Sequence, residues 1–357
     1  MKKIVSIVGA RPQFVKLAPF SRKIREKYQE IIVHTGQHYD VNMSDSFFRD
    51  LEIPQPDYDL GVGSGSHGKQ TGKMLELLEE TFMKERPNLV VVFGDTNSTV
   101  AGALAASKLH IPILHIEAGL RSFNRQMPEE INRVATDHIS DYLFAPTETA
   151  MINLRKEGLG DSSYLTGDIM VDSIEYALKK IKNRSISEQK EKLDKDGYYL
   201  LTLHRPQNVD NYENLSYLLE KVNRLNLPVV FPIHPRTMGI IRNNAERKID
   251  DAYTNIRFIE PVGYLNFIEL QSNAKAIITD SGGIQKEAYI LRRPCITVRT
   301  ETEWVETVQS GWNKLIHPEN NKLVEEIENH NPMANSSDLF GREVAQKMLD
   351  LIGQWGI

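Results

Sequence analysis

A single cysteine, Cys295, leaves this 357-residue chain without a partner for an intramolecular disulfide, which suits a reducing compartment and predicts a cytoplasmic protein. Within "PCITV" the thiol reads as a small buried core residue. Long apolar runs are missing too: nothing approaches the roughly 18 residues a membrane span needs. The opening "MKKIVSIVGARP" has about five apolar residues before Gly9, short of the about 7–15 of a secretory signal, and reads as a first buried strand. There is no basic excess. With a net charge of −5 and a pI near 6.1, no global cationic field would hold nucleic acid, so any anion site must be built locally. The spacings HxxEH, HExxH and paired CxxC do not occur, which leaves a metal without support. Neither a GxSxG elbow nor an internal repeat of fixed period is present.

What is there is an alternation. Short apolar runs, "KKIVSIV", "EIIVHT", "NLVVVFG", "IPILHIE", "YLFAPT", then "YYLLTLH", "LPVVFPIH", "NIRFIE", "AKAIITD" and "PCITVR", are separated by helical stretches. That is the pattern of βαβ units in parallel sheets, the α/β class. At 40% hydrophobic and 25% charged, a chain this long is expected to form two globular domains. The charged stretch Glu175–Gly197, poor in β-formers, reads as a helix and surface connection at the junction. Near the end, "GREVAQKMLDLIGQW" carries apolar residues at helical spacing and is expected to dock as an amphipathic helix.

In open α/β sheets ligands bind beyond the carboxyl ends of the strands, so the residues that follow each run carry the functional information. In "IITDSGGIQKEA" a strand ends at Asp280, and Ser281, Gly282 and Gly283 open a helix whose free N–H groups suit a phosphate. The loop lacks the lysine of GxxxxGK[ST] and the spacing of GxGxxG, which argues against an ATPase and an NAD site. Glu287, one turn on, could accept ribose hydroxyls. In "VGARPQFVK" Arg11 and Lys16 offer two cations to a diphosphate. Asp95 ends "VVVFGD", Glu117 ends "ILHIE", and Glu129 precedes Arg133 in "MPEEINR". Three carboxylates gathered near a pyrophosphate would hinder simple nucleotide binding. Proton transfer, which needs one acid protonated and another ionised, gives them a purpose. His204 in "TLHRPQN" and His234 in "IHPRT" occupy similar loop positions and could balance charge or shuttle a proton. His110 reads as an ordinary surface residue.

The motifs "GARPQFVKLAP", "TGQHYD", "GDTNSTVAGALAA", "HIEAGLRS", "MPEEINR", "TLHRPQN" and "TDSGGIQKEA", in this order from Lys3 to about Gly311, resemble the non-hydrolysing UDP-N-acetylglucosamine 2-epimerase family. The resemblance implies two Rossmann-like doubly wound domains facing a cleft, as in GT-B glycosyltransferases. Residues 1–168 with a C-terminal helix at about 337–357 would be the catalytic domain, and 169–336 the UDP-binding domain. It implies a homodimer, no cofactor and no metal. Arg11 and Lys16 would be cleft cations, and Asp95, Glu117 and Glu129 the acid–base set, with Arg133 and His204 lining the reacting centre. Ser281, Gly282 and Gly283 would hold the diphosphate, Glu287 the ribose and Phe267 the edge of the uracil pocket. The implied reaction eliminates UDP through an enzyme-bound 2-acetamidoglucal and adds it back after protonation on the other face.

Three departures from the family pattern stand out. Gln13 replaces a common glutamate after "RP", which would ease binding of a more anionic sugar such as a UDP-2,3-diacetamido-uronate. Trp304 replaces an arginine that points towards the phosphates elsewhere. Asp40 and Lys69 differ from the glutamine and arginine expected at a second, activating nucleotide site. A GT-B glycosyltransferase, a nucleotide-sugar sensor and a hydrolysing relative are the competing functions, separable by whether a nucleotide sugar is converted without an acceptor and without release of free sugar.

Overall fold

Ten apolar runs become ten strands in the computed structural model, which describes residues 1–37, 48–184, 193–244, 249–332 and 338–356. The chain divides into two compact units, unit 1 being Met1–Tyr176 with Asp338–Ile357 and unit 2 Ala177–Ser337.

Unit 1 contains a seven-stranded parallel sheet of β1 (Lys3–Val8), β2 (Gln29–His34), β3 (Tyr58–Asp59), β4 (Leu89–Phe93), β5 (Ile113–Ile116), β6 (Tyr142–Ala145) and β7 (Ser163–Leu165), in the order 3-2-1-4-5-6-7. Its central strands are buried along their length, as parallel strands covered on both faces must be. The crossover helices that place the site are α1 (Arg11–Ile24), α2 (Asn97–Lys108) and α3 (Pro128–Ile139). Pro19 lies inside α1 and offers no N–H to the carbonyl of Val15; the hydroxyl of Ser173 donates to that oxygen at 2.6 Å instead. Thr96 caps α2, its hydroxyl accepting from the Thr99 amide.

Unit 2 repeats the scheme with six parallel strands, β8 (Tyr199–Thr202), β9 (Val229–Pro232), β10 (Ile256–Ile259), β11 (Ala276–Thr279), β12 (Cys295–Thr297) and β13 (Asn313–Leu315), in the order 10-9-8-11-12-13. Helices α4 (Tyr264–Asn273) and α5 (Gly282–Ile290) flank β11. Each sheet therefore reverses its winding once, between β1 and β4 in unit 1 and between β8 and β11 in unit 2. These are the switch points where such sheets take ligands. Cys295 is buried, and burial pushes its thiol up to about 12 against the opposing effect of a contact with Thr297; it is inert core.

The last helix, α6 (Val344–Gln354), packs on unit 1 with Val344, Ala345, Met348, Leu349 and Ile352 buried. It is shorter than the expected 337–357 because Gly341 and Glu343 take left-handed backbone conformations, at φ +77° and +48°, just before it. Asp172 accepts hydrogen bonds from the amides of Val344 and Ala345 at 3.1 and 2.6 Å, satisfying two donors of its first turn. Trp355 stacks on Tyr142 with ring centroids 3.7 Å apart. Among the described residues no helix is long and apolar enough to cross a membrane.

Candidate active site

The chemistry-bearing residues of unit 1 stand at the carboxyl ends of β1, β4 and β5, around that unit's switch point. Asp95 follows β4, and its carboxylate takes a 2.6 Å ion pair from Nη2 of Arg133 on α3. The Asn132 amide also donates to the Asp95 carbonyl at 3.0 Å, so α3 holds the residue by both backbone and side chain. Arg133 is almost fully buried, and its Nη1 pairs with Glu130 at 2.9 Å. Glu130 is the buried member of the "PEE" pair. It accepts from the amides of Ser122 and Phe123 and so ties the 122–123 loop to α3. Its neighbour Glu129 is exposed in the first turn of the same helix.

Glu117 follows β5 with a left-handed φ of +74°, an uncommon backbone for a residue with a side chain and one whose strain collects at functional sites. The amides of Glu117 and Ala118 donate to the Phe144 carbonyl at 3.1 and 3.0 Å and hold the turn. Its carboxylate pairs with Lys16, both side chains nearly buried. The charge of Lys16, expected beside Arg11 as a second cleft cation, is matched here by Glu117, as burial of either group requires. Arg11 is half-buried at the first position of α1.

Gln13 is buried and fully engaged. Its carbonyl accepts from the amides of Gly9 and Ala10 at 2.8 and 3.0 Å, and its amide donates to the Phe93 carbonyl and the Thr99 hydroxyl at 2.9 and 3.1 Å. It fastens the β1–α1 turn to the end of β4. The residue tied by its sequence position to an anionic sugar is here a backbone clamp, its amide donating on one side and accepting on the other.

In unit 2 the organising group is Asp280, at the end of β11. Its buried carboxylate accepts from the amides of His204 and Arg205, from Asn208 at 2.9 Å, and from Nδ1 of His204 at 2.8 Å. Burial alone would raise its pKa, but the hydrogen bond and charge of His204, with Asn208 and the Arg205 amide, hold it below the usual carboxylate range. His204 is exposed, with Nδ1 committed to Asp280, so Nε2 is the nitrogen open to other chemistry. Ser281 caps α5 without spending its hydroxyl on the helix.

The Glu303 carboxylate lies close against Gly282, in the space a Cβ would take. Glu303, paired with Arg299 at 3.2 Å, therefore sits over the helix N-terminus where an anion is favoured. Trp304 is buried rather than turned to a ligand, and the Lys286 ammonium lies 4.1 Å from its ring centroid. Lys286 is thus a cation one turn into α5 that sequence reasoning overlooked. Glu287, expected at the ribose, is buried and accepts from Gln271 on α4 at 2.6 Å. Phe267 is half-buried against the core. His234 is exposed after β9, its Nδ1 accepting from the Arg236 amide at 3.2 Å. Of the second-site residues, Lys69 is exposed in the helix His67–Glu85, and Asp40 lies outside the described residues.

A family profile described as UDP-N-acetylglucosamine 2-epimerase matches residues 22–352. A UDP-N-acetylglucosamine 2-epimerase homolog of Methanococcus maripaludis is 54% identical over 335 residues, 94% of each chain. The UDP-2,3-diacetamido-2,3-dideoxy-D-glucuronate 2-epimerase of Pseudomonas aeruginosa is 47% identical over 332 residues, 90% of each chain. Among solved structures, the Methanocaldococcus jannaschii UDP-GlcNAc 2-epimerase in complex with UDP-GlcNAc and UDP superposes with a TM-score of 0.90 at 44% identity, covering all of both chains.

Proposed function

Because the chain belongs to the UDP-N-acetylglucosamine 2-epimerase family, and so to the isomerases, we propose that it interconverts UDP-N-acetylglucosamine and UDP-N-acetylmannosamine by eliminating UDP and adding it back. The hydrogen on C2 of the sugar is not activated by a carbonyl, so deprotonation and simple return would be very slow. Elimination avoids that step. The C1–oxygen bond breaks as the C2 proton leaves, a 2-acetamidoglucal forms, and UDP returns to C1 after a proton arrives on the opposite face of C2. Positive charge gathers at C1 and negative charge on the departing diphosphate, so acids near the sugar and helix-end amides with cations near the phosphates lower the barrier.

The observation that carries this reading is the pairing of acids and cations at adjacent strand ends of unit 1, Asp95 with Arg133 and Glu117 with Lys16. Each acid has a cation that balances it while ionised. Glu129 completes the acid–base set from the exposed first turn of α3. Within unit 2, the amide end of α5, Lys286 as a further cation, and His204, steered by Asp280, suit a diphosphate. A homodimer belongs to the same proposal, and light scattering tests it.

The 47% identical relative favours a second substrate, the diacetamido-uronate. The test is incubation with UDP-N-acetylglucosamine in heavy water followed by NMR. Deuterium at C2 with an equilibrating manno product is expected. No conversion of this sugar, but conversion of the diacetamido-uronate, selects the second substrate, and epimerisation without solvent exchange overturns the elimination chemistry.

A further inference from the structure

His115 is the third residue of β5, two before Glu117, and is fully buried. Its Nε2 lies 2.7 Å from the carbonyl oxygen of Gly94, the residue before Asp95, and its Nδ1 lies 2.7 Å from Oδ1 of Asp137 on α3. A carbonyl only accepts. Asp137 is ionised as well: burial opposes this, but the hydrogen bond and charge of His115, with Arg121, hold its pKa below the usual range. The ring thus spans the two, one nitrogen on the Gly94 carbonyl and the other on the Asp137 carboxylate.

The network continues on the other side of Asp137. Its Oδ2 accepts from the Gly119 amide at 3.1 Å and pairs with Nη1 of Arg121 at 2.7 Å. Arg121 in turn grips Glu157 with two 2.7 Å hydrogen bonds. Gly119, at φ +81°, has the Ala150 carbonyl and the Leu154 side chain where a Cβ would lie, so the turn Glu117–Gly119 is fixed from both sides.

The side chains of His115, Asp137 and Arg121 are buried. Burying such groups costs several kcal/mol per ion, and well-packed apolar side chains often serve stability as well. What apolar side chains could not do is join the carbonyl beside Asp95 to the turn that carries Glu117. We propose that His115, held between the Gly94 carbonyl and Asp137, is a positioning residue that fixes the spacing of the Asp95 and Glu117 carboxylates, and so sets the balance of proton delivery to the two faces of C2. This rests on the epimerisation proposed above.

The test is an internal ratio. In heavy water with UDP-N-acetylglucosamine, deuterium entering recovered substrate reports protonation on one face, and deuterium in the manno product reports the other. Their initial ratio does not depend on how much enzyme is folded, and UDP-binding stoichiometry counts the folded fraction separately. For Asp137→Asn and His115→Gln we expect the ratio to move at least about threefold and kcat per UDP-binding site to fall ~10–100-fold, the scale of a misplacement near 1 Å. KM and UDP affinity should stay within about twofold. A variant that binds UDP at full stoichiometry and keeps the wild-type ratio and kcat overturns the inference, as does loss of UDP binding in both variants, which would make the network purely structural. Wild-type protein that takes up no deuterium at C2 would instead overturn the reaction itself, and the inference with it.

Discussion

Replacing Gln13 with glutamate changes one NH2 group into an oxygen at a site where both halves of the amide are occupied. The carbonyl half survives, because Oε1 still accepts from the Gly9 and Ala10 amides. The other half then places an acceptor 2.9 Å from the Phe93 carbonyl, which has no proton to give. The Thr99 hydroxyl, which donates to that same carbonyl at 2.7 Å, can turn towards the new oxygen, but the carbonyl then loses both donors. One buried acceptor left unpaired costs about 1–3 kcal/mol, and more where a charge is involved, so Gln13→Glu is expected to destabilise unit 1 by ~2–4 kcal/mol. For a unit of about 200 residues, at ~2–4 °C per kcal/mol, the corresponding transition falls by roughly 5–15 °C in differential scanning calorimetry. Sugar preference, corrected for the folded fraction, should not change. A variant whose transition moves by less than about 1 °C, or which gains selectivity between the N-acetyl sugar and the uronate, would refute the assignment of Gln13 as a purely structural clamp.

Three further outcomes follow from the geometry. Asp95→Asn keeps the shape but removes the partner of Arg133; epimerisation should fall ~10²–10⁴-fold, the usual worth of a general acid or base, with UDP affinity measured by calorimetry within about twofold. Glu303→Gln removes the negative charge held over Gly282, so UDP should bind roughly 2–5-fold more tightly, from ~0.3–1 kcal/mol of helix-end electrostatics; weaker binding would assign Glu303 to the ligand instead. Asp280→Asn tests linkage. The folded pKa of Asp280 lies below its unfolded value of about 3.9, so its stabilisation is present above that value and is lost as pH falls through the folded one. The thermal gap between wild type and variant should be full at pH 7 and narrow below about pH 4, and a gap independent of pH would contradict the hydrogen-bonded carboxylate.

The fold was legible where strands are buried on both faces. Nine of the ten apolar runs became interior strands, where a parallel strand has no solvent-facing side to interrupt it with polar residues; the tenth, β10, lies at a sheet edge and carries an exposed Arg257. The strands missed, β3, β7 and β13, are two or three residues long and sit at sheet edges. There, pairing on one side is decided by neighbours distant in sequence, and no local run records it. The site followed the same division. Asp95, Glu117 and Ser281 could be found because each stands directly after a strand. The pairing of Lys16 with Glu117 could not be read, since the two lie about a hundred residues apart. Asp137 does its work by accepting hydrogen bonds from other elements, and nothing in its flanking residues distinguishes it from a surface acid; Asp280 could be placed at a strand end, but not its role as an acceptor for the 204–208 segment. Lys286 reads as one more helix lysine until the burial of Trp304 beside it is seen.

The placement of α6 bears on how the chain is made. Asp172 satisfies the first amides of that helix, and Trp355 closes over Tyr142, yet the ribosome delivers both only after the whole of unit 2 has emerged. Unit 1 must therefore wait, its docking face uncovered, while its neighbour is synthesised. Nascent protein halted anywhere before residue 344 should present that face to chaperones.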